Sequence, residues 1–358
     1  MVAGNDVGSV LDFVLQFPPG GAPREPRPLE FRNRTDRMTS GVSPEKTGEI
    51  LMSASRLSSI IALALGLGLA TRVAGADPAG FAFLEVPSGA RASALAGAYA
   101  SLALGPEAAF WNPAGLQGTH GVELAATHVE LFEGLRDDQF VIAGRRLGGG
   151  LAASVRSQYS GEIPERDALG NLLGTFGAHD LEFALGYGRT LSPGLALGAS
   201  AKYIRERIAN ASAATYAFDM GAGWEPGPAG LRLGITVQNI GPSANFTIDG
   251  AKGEPVPLPA AFQSGASYVL PLSPTLALTG VLEGRFTRGR TGLGLAGAEL
   301  SAPAAGAALR IGWRANDSAS SLCAGAGYTL HALRLDYAFV PFRDDVGDTH
   351  RFSLAARF

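Results

Sequence analysis

Cysteine, charge and long hydrophobic runs are all scarce in this sequence. Its single cysteine, Cys323, has no second cysteine with which to pair, so a disulfide scaffold is excluded. Charged residues make up only 17% of the chain, and a formal net charge of −3 offers no basic surface to nucleic acid. The five histidines are scattered without the spacing of metal ligands. We therefore expect neither a nucleic-acid partner nor a metal site.

The one run that resembles a hydrophobic helix covers residues 60–70, which is too short for the ~20 residues of a membrane-spanning helix. An arginine precedes this run, and small residues follow it up to Ala76, which is the order of a secretory signal peptide. We expect residues 52–76 to be that signal peptide, with cleavage near Ala76. Residues 1–51 lie upstream of it, and we expect them to be either a non-native segment before a true start at Met52 or a disordered extension.

The chain from residue 119 onward shows the pattern of strands. Apolar and polar residues alternate in segments of 9–14 residues, separated by clusters of Gly, Pro, Asn, Asp and Ser. In the last segment, Phe352, Leu354 and Phe358 share one face, and Arg351 and Ser353 share the other. The pattern predicts about fourteen strands, near residues 120–131, 138–147, 149–160, 178–191, 193–208, 213–224, 229–240, 261–271, 274–287, 291–301, 303–315, 319–329, 331–341 and 349–358.

Strand length and connection length favour a membrane barrel over a soluble one. A tilted strand that crosses a bilayer needs about 9–11 residues, whereas strands in soluble proteins average about 5–6. The long connections, near 160–178, 240–261 and 341–349, all fall on one side of the sheet, as expected when short periplasmic turns oppose longer outer loops. We therefore expect residues 120–358 to form an all-β, antiparallel transmembrane barrel, with its apolar face toward lipid.

Residues 77–119 precede the first strand and are rich in small residues. They have a helical pattern over 90–103 and a second short turn over 106–111, but they are too polar to cross a membrane. We expect this segment to fill the barrel as an N-terminal helical plug, because its backbone polar groups need partners that lipid cannot provide. Trp111, Asn112 and Pro113 are predicted to anchor the plug by a turn where it meets the first strand.

Several short motifs together resemble one family of outer-membrane proteins. Near the start of the plug, Gly89-Ala90-Arg91 precedes Leu95-Ala96-Gly97-Ala98, and Trp111-Asn112-Pro113 follows. Further on come Val237-Gln238-Asn239-Ile240-Gly241-Pro242, Pro257-Leu258-Pro259 and Leu335-Asp336-Tyr337-Ala338-Phe339. This ordered set resembles the PorV/PorQ family, which is related to the FadL-type fatty-acid channels of fourteen strands with an N-terminal plug. It covers residues 80–358, with Ala96-Gly97 where the family has a double glycine.

The resemblance implies a location in the outer membrane of a Gram-negative-type bacterium and an accessory or shuttle role in type IX-like protein secretion. The partners would then be membrane lipid and secreted proteins or secretion components. Phe358 resembles the terminal aromatic that the barrel-assembly machinery reads. Two alternatives remain open: a passive FadL-like channel for small hydrophobic molecules, and a purely structural envelope barrel.

Other residues are predicted to carry structure rather than chemistry. A G-x-G-x-x-G string at Gly292, Gly294 and Gly297 lies within a strand, so we interpret its glycines as facing the lumen and expect no cofactor. No arrangement indicates catalysis, and we expect no enzyme. The candidate site residues fall into two sets. The plug and turn motif comprises Gly89, Arg91, Gly97, Trp111, Asn112 and Pro113, and the lumen charges are Glu283, Arg285, Arg334, Asp336 and Arg351.

Overall fold

The computed structural model describes residues 79–227, 230–343 and 347–358, and strands dominate it. The predicted signal peptide, its cleavage site at Ala76 and the upstream residues 1–51 lie outside the described residues. The strands are β1 (Val122–Glu130), β2 (Arg136–Arg146), β3 (Gly149–Tyr159), β4 (Ile163–Arg166), β5 (Leu172–Phe176), β6 (Ala178–Ser192), β7 (Leu195–Ile208), β8 (Ala211–Trp224), β9 (Leu231–Ile240), β10 (Ala244–Ile248), β11 (Ala251–Val256), β12 (Ala261–Ser273), β13 (Leu276–Thr287), β14 (Leu293–Ala302), β15 (Ala307–Ala315), β16 (Leu322–Leu330), β17 (Leu333–Pro341) and β18 (Asp348–Arg357).

Fourteen of these strands form a closed antiparallel barrel, as predicted. Apart from β4, β5, β10 and β11, each strand pairs with the next along the chain, and β18 returns to pair with β1. Val122 and Phe358 complete this seam by exchanging backbone hydrogen bonds of 3.2 and 2.8 Å. Closure leaves the barrel strands no free edge, which a membrane requires because lipid cannot satisfy unpaired backbone groups.

The two faces of the wall are inverted relative to a soluble protein. Outward side chains such as Leu185 and Leu335 are 64% and 53% exposed, whereas the inward Glu283 and Asp336 are each 1% exposed. Apolar side chains therefore face lipid, and charged ones line the lumen. β14 departs from the prediction, since Leu293 and Leu295 lie on its inward face.

The sequence interpretation that the glycines of the β14 string face the lumen is only partly correct. Gly297 faces the lumen as expected, but Gly294 alternates to the outer face. The inward position of Gly297 leaves room for the side chain of Leu95, which a Cβ at that position would press.

The connections divide the barrel into a short-turn end and a long-loop end. Two of the long loops contain hairpins that the sequence did not predict: β4 pairs with β5, and β10 pairs with β11. Pro164 and Pro255 lie in these strands, and proline argues against a strand when only the pattern is read. β10 also extends the wall along β8, where Thr247 and Ile248 pair with Ser212 and Ala211.

Residues 79–119, here called the luminal segment, are packed inside the barrel. Two short helices, α1 (Ala90–Ala94) and α2 (Ala108–Trp111), alternate with 3-10 turns. The helix predicted over 90–103 is therefore too long. It ends at Leu95 because Ala96 and Gly97 both adopt left-handed backbone angles, with φ of 59° and 83°. Within the described residues, no helix is long and apolar enough to cross a membrane.

Inward glycines give the luminal segment its room. A Cβ added at Gly198 on β7 would collide with the backbone of Pro113, and one added at Gly221 on β8 would collide with the side-chain oxygen of Asn112. A Cβ added at Gly312 on β15 would collide with the backbone of Leu95 and Ala96. Part of the chain's high glycine content is thus a consequence of filling the barrel.

Candidate functional site

The turn at Trp111, Asn112 and Pro113 is held by hydrogen bonds to the barrel wall and to its own segment. The Asn112 amide donates to the carbonyls of Ala100 (2.9 Å) and Ala222 (3.1 Å), and its oxygen accepts from Ala114 N (3.2 Å). The Trp111 indole donates to the carbonyl of Ser88 at 2.9 Å. Gly198 and Gly221, which make room for this turn, belong to β7 and β8. The turn is therefore anchored on β7 and β8, and the predicted position, at the first strand, is wrong.

The other three residues of the plug motif lie in and around α1. Gly89 begins the helix with a φ of 79°, and its N–H donates to Gln139 on β2 at 3.2 Å. Arg91 makes a bidentate pair with Glu299 on β14, with both N···O distances at 2.8 Å. The Gly97 carbonyl accepts from the Gln263 amide at 2.9 Å. Each residue thus fixes the luminal segment to a different part of the wall.

Glu283 on β13 is the wall's main acceptor for the luminal segment. Its carboxylate accepts from the backbone N–H groups of Ala100 (2.9 Å) and Ser101 (2.8 Å) and from the Ser101 hydroxyl (2.6 Å). Gln263 donates to the same carboxylate at 2.6 Å. Hydrogen bonds to an ionised group are about twice as strong as neutral ones, so this cluster holds the segment firmly.

Arg334 and Asp336 belong to a chain of alternating charges across the middle of the lumen. Arg310 on β15 lies between Glu299 and Asp336, and it contacts Asp336 at 2.8 Å. Arg334 contacts the same Asp336 at 2.8 Å and also Glu107 of the luminal segment. Arg91 is the third arginine here, and the three arginines pair with three carboxylates. We call this set the paired network: Arg91, Glu107, Glu299, Arg310, Arg334 and Asp336.

Glu107 and Tyr99 connect the paired network to the interior of the luminal segment. The Tyr99 hydroxyl donates to Glu107 at 2.8 Å. Burial and the neighbouring Glu107 carboxylate raise the pKa of Tyr99, so the phenol remains protonated and keeps its proton for this bond. Burial alone would raise the pKa of Glu107, but Arg334, Arg91 and the hydrogen bonds together lower it. Glu107 is therefore ionised at neutral pH.

A cavity of about 720 Å³ lies above the luminal segment toward the long-loop end. Leu84, Phe110 and Trp111 of the luminal segment form part of its floor, and Leu293 and Leu295 of β14 form part of its wall. At the mouth, the rings of Phe132 and Phe342 meet edge to face, 6.0 Å apart. The inward leucines that depart from the β14 prediction therefore supply apolar surface to this cavity.

Three arginines of the same cavity differ from those of the paired network. Arg285 donates at 2.9 and 3.2 Å to the neutral side chains of Gln263 and Gln238, and Arg351 donates at 2.8 and 2.9 Å to Pro87 O and Ser93 Oγ. Within the described residues, neither arginine makes an ion pair. Arg314 contacts Asp317 at 3.2 Å. Buried nitrogens of Arg314 (Nη2) and Arg351 (Nε) lack any hydrogen-bond partner. We call these three residues the cavity arginines.

A smaller cavity of about 230 Å³ lies on the other side of the luminal segment, toward the short-turn end. Asn112 and Gln117 line it together with the ion pair of Arg232 and Glu225, whose atoms are 2.9 Å apart. Trp111 borders the large cavity and Asn112 borders the small one. The luminal segment therefore separates the two spaces at this turn.

The sequence predicted some of these residues and missed others. All five predicted lumen charges face inward, but Glu283, Arg334 and Asp336 hold structure, whereas Arg285 and Arg351 line the cavity. Arg314 was missed, although its place two residues beyond Gly312 on an alternating strand indicates an inward side chain. Cys323 is fully buried and packs on Ala96 and Val340.

Comparison with known proteins shows similarity in fold. By sequence, the chain matches no protein-family model and no curated protein. Among solved structures, the CymD monoaromatic hydrocarbon channel is 12% identical, with 76% of this chain and 98% of that chain covered and a TM-score of 0.54. The toluene transporter TodX of Pseudomonas putida is also 12% identical, with 75% and 96% covered and a TM-score of 0.53. The chain thus shares the fold of these two membrane channels.

Proposed function

We propose that this protein is an outer-membrane channel that passively admits small, largely apolar molecules carrying an anionic group. The observation that carries the proposal is the large cavity, where Arg314 and Arg351 lie beside apolar side chains and each has a buried nitrogen without a hydrogen-bond partner. A passive channel for small hydrophobic molecules is one of the two alternatives to a secretion role that the sequence leaves open, and the anionic group is added here because of the arginines.

A buried cation without a partner destabilises the protein. A guanidinium removed from water loses several kcal/mol of hydration unless an opposite charge or hydrogen-bond acceptors replace it. A carboxylate in the cavity would accept from Arg351 and Arg314 in charge-assisted hydrogen bonds, while the apolar wall buries the body of the molecule.

The fold comparisons support the apolar part of this proposal. CymD is described as a monoaromatic hydrocarbon channel and TodX as a toluene transporter. A barrel of the same fold with a cavity lined in part by Phe110, Trp111 and Leu295 is suited to a ring of similar size. Fold alone does not determine function, so the cavity arginines carry the specific part of the proposal.

The other two functions are less well supported. The accessory role in type IX-like secretion depends on the resemblance to the PorV/PorQ family, and no comparison supports it. A purely structural barrel has no use for buried arginine nitrogens without partners.

Passage from the large cavity to the small one would require the Trp111 and Asn112 turn to shift, because that turn separates them.

Trp111 provides a direct test of ligand binding, because it borders the cavity while Trp224 and Trp313 are exposed on the lipid face. In a Trp224→Phe/Trp313→Phe background, Trp111 is the sole indole fluorophore of the described chain. We expect 4-methylbenzoate, added to the purified barrel in a non-ionic detergent, to change Trp111 fluorescence saturably. Toluene has the same ring without the carboxylate and should bind more weakly.

Substitution of the cavity arginines separates the two parts of the ligand. Arg314→Met should weaken binding of 4-methylbenzoate by about 10- to 100-fold, the equivalent of one charge-assisted hydrogen bond of ~1.5–3 kcal/mol, and should leave toluene binding unchanged. Arg290→Met is the matched control, because Arg290 lines the cavity but is exposed and paired with Glu85. If Arg314→Met bound 4-methylbenzoate as tightly as the wild type does, the anionic part of the proposal would be wrong. If the wild type bound neither 4-methylbenzoate nor toluene, the channel proposal would be wrong.

A further inference from the structure

The inward face of strands β2 to β8 carries an excess of carboxylates. Alternation places five acidic and two basic side chains on this part of the lumen wall, excluding the strand ends: Asp137, Arg156, Asp180, Glu182, Lys202, Glu206 and Asp219. Arg205 and Arg207, the other basic residues of this part of β7, alternate to the outer face. The wall therefore has three more negative than positive side chains.

Three of these carboxylates have a basic partner. Arg156 contacts Asp137 at 2.7 Å. Lys202 contacts Asp219 at 2.8 Å and Glu182 at 3.7 Å. Among the described residues, Asp180 and Glu206 make no ion pair, although they lie on the same wall. Asp180 and Glu206 thus account for two of the three excess negative charges, and the third lies on Glu182 and Asp219, which share Lys202.

The strand register places Asp180 and Glu206 side by side, with Gln158 next to them. Gln158 on β3 pairs with Asp180 on β6, and Asp180 pairs with Glu206 on β7. Side chains that are directly opposite in antiparallel strands have Cβ atoms about 4.5–5.5 Å apart. All three residues face inward, so their oxygen atoms form one row across three neighbouring strands.

Each residue of this row has a buried oxygen without a hydrogen-bond partner. The atoms are Gln158 Oε1, Asp180 Oδ1 and Glu206 Oε2. Gln158 is only 8% exposed, and its amide oxygen is buried. Unpartnered buried acceptors are rare in folded proteins, and three in one row indicate a missing donor or cation.

We infer that Gln158, Asp180 and Glu206 form a calcium-binding site in the wall of the lumen. Ca²⁺ takes six to eight oxygen ligands, including carboxylates and amide oxygens, at about 2.3–2.6 Å, and tolerates irregular geometry. Two carboxylates would neutralise the ion, and water would complete its coordination. Gln158 also lines the large cavity, which gives the ion a path to the site.

The chemistry of the row favours a hard cation over a transition metal. No group of three or more His, Cys, Asp or Glu side chains in the described residues is arranged to hold a metal ion. The row offers only oxygen, and Zn²⁺ and Cu²⁺ prefer nitrogen or sulfur ligands. Mg²⁺ demands near-octahedral geometry and dehydrates reluctantly, which a row of side chains on a rigid sheet does not favour.

Calorimetric titration of the purified barrel with Ca²⁺ in a non-ionic detergent tests this site. We expect one Ca²⁺ per chain and a rise in the unfolding temperature when Ca²⁺ is added. Asp180→Asn/Glu206→Gln should weaken Ca²⁺ binding by at least tenfold and remove the temperature rise. Gln158→Met keeps the side-chain length without the oxygen and should weaken binding by a smaller factor. Glu85→Gln is the matched control, because it removes a carboxylate from another part of the same cavity.

The main competing explanation is a proton shared between Asp180 and Glu206, which would satisfy both oxygens without a metal. In that case Ca²⁺ would produce no binding heat and no temperature rise in the wild type. That result, or unchanged Ca²⁺ binding in the Asp180→Asn/Glu206→Gln variant, would overturn the inference. If the double variant fails to fold, Gln158→Met supplies the same comparison. The Trp111 titration is independent of Ca²⁺, so failure of this site is distinguishable from failure of the channel proposal.

Discussion

The arginines of the paired network and the cavity arginines line the same lumen but differ in their partners. In the paired network, Arg310 has Glu299 on one side and Asp336 on the other. A few residues along the same strand, Arg314 contacts a backbone carbonyl and Asp317, and one of its buried nitrogens has no partner. Both arginines face inward from β15, so strand position does not distinguish them; the difference lies in the partners.

The difference between these two regions follows from where the luminal segment lies. It provides Arg91 and Glu107 to the paired network, so that charges on the wall and on the segment satisfy one another. Above the segment the lumen is a cavity, where Arg314 and Arg351 each have a buried nitrogen without a hydrogen-bond partner. Charge in the filled region is thus paired within the protein, whereas charge in the open region is only partly paired.

The largest expected effect comes from breaking the paired network. Arg310→Met removes one of the two arginine partners of Glu299 and of Asp336, which keep Arg91 and Arg334 respectively, and breaking a buried pair costs up to about 3–5 kcal/mol. Arg351→Met leaves no carboxylate of the described residues unpaired, so it should cost at least about 2 kcal/mol less. Unfolding of both variants by denaturant in a non-ionic detergent measures the two costs. Equal losses of stability would show that the two regions do not differ in the way described.

A smaller effect is expected from filling the space that the luminal turn occupies. Gly221→Val would press on Asn112, and overpacking of this kind costs about 1–3 kcal/mol. Gly223 lies two residues further on the same strand and face, and a Cβ there meets nothing within 4 Å. Gly223→Val should therefore be nearly neutral. Only Gly221→Val should also raise single-channel conductance, because it displaces the turn that separates the two cavities. Unchanged conductance and stability in Gly221→Val would contradict the proposed packing.

The sequence predicted the wall of the barrel better than its contents. Alternation located all fourteen barrel strands because lipid on one side and a polar lumen on the other enforce a period of two. The luminal segment has no such period, and its left-handed residues Ala96 and Gly97 ended a helix that composition alone would continue. The alternating pattern cannot predict which charged side chains contact each other, because partners such as Arg91 and Glu299 are 208 positions apart. The Asp180 and Glu206 row likewise requires the strand register, which single strands do not reveal.

The smallest expected effect is a pH dependence that belongs to the paired network alone. Glu107 has a lowered pKa in the folded protein, because Arg334, Arg91 and the Tyr99 hydroxyl outweigh the effect of burial. The stability that it contributes is therefore complete above the pKa of an unfolded glutamate, about 4.3, and is lost as the pH falls through its lower folded value.

Glu107→Gln isolates this contribution from that of the other carboxylates. The difference in unfolding temperature between wild type and Glu107→Gln should be constant from neutral pH to about pH 5 and should shrink at lower pH. Tyr99→Phe removes one hydrogen bond to the carboxylate and so raises the folded pKa of Glu107 toward its unfolded value; in that background the shrinkage should be smaller and should end at a higher pH. A difference that does not change between pH 7 and pH 3 would mean that the pKa of Glu107 is not lowered in the folded barrel, so that Arg334, Arg91 and Tyr99 would not favour its ionised form.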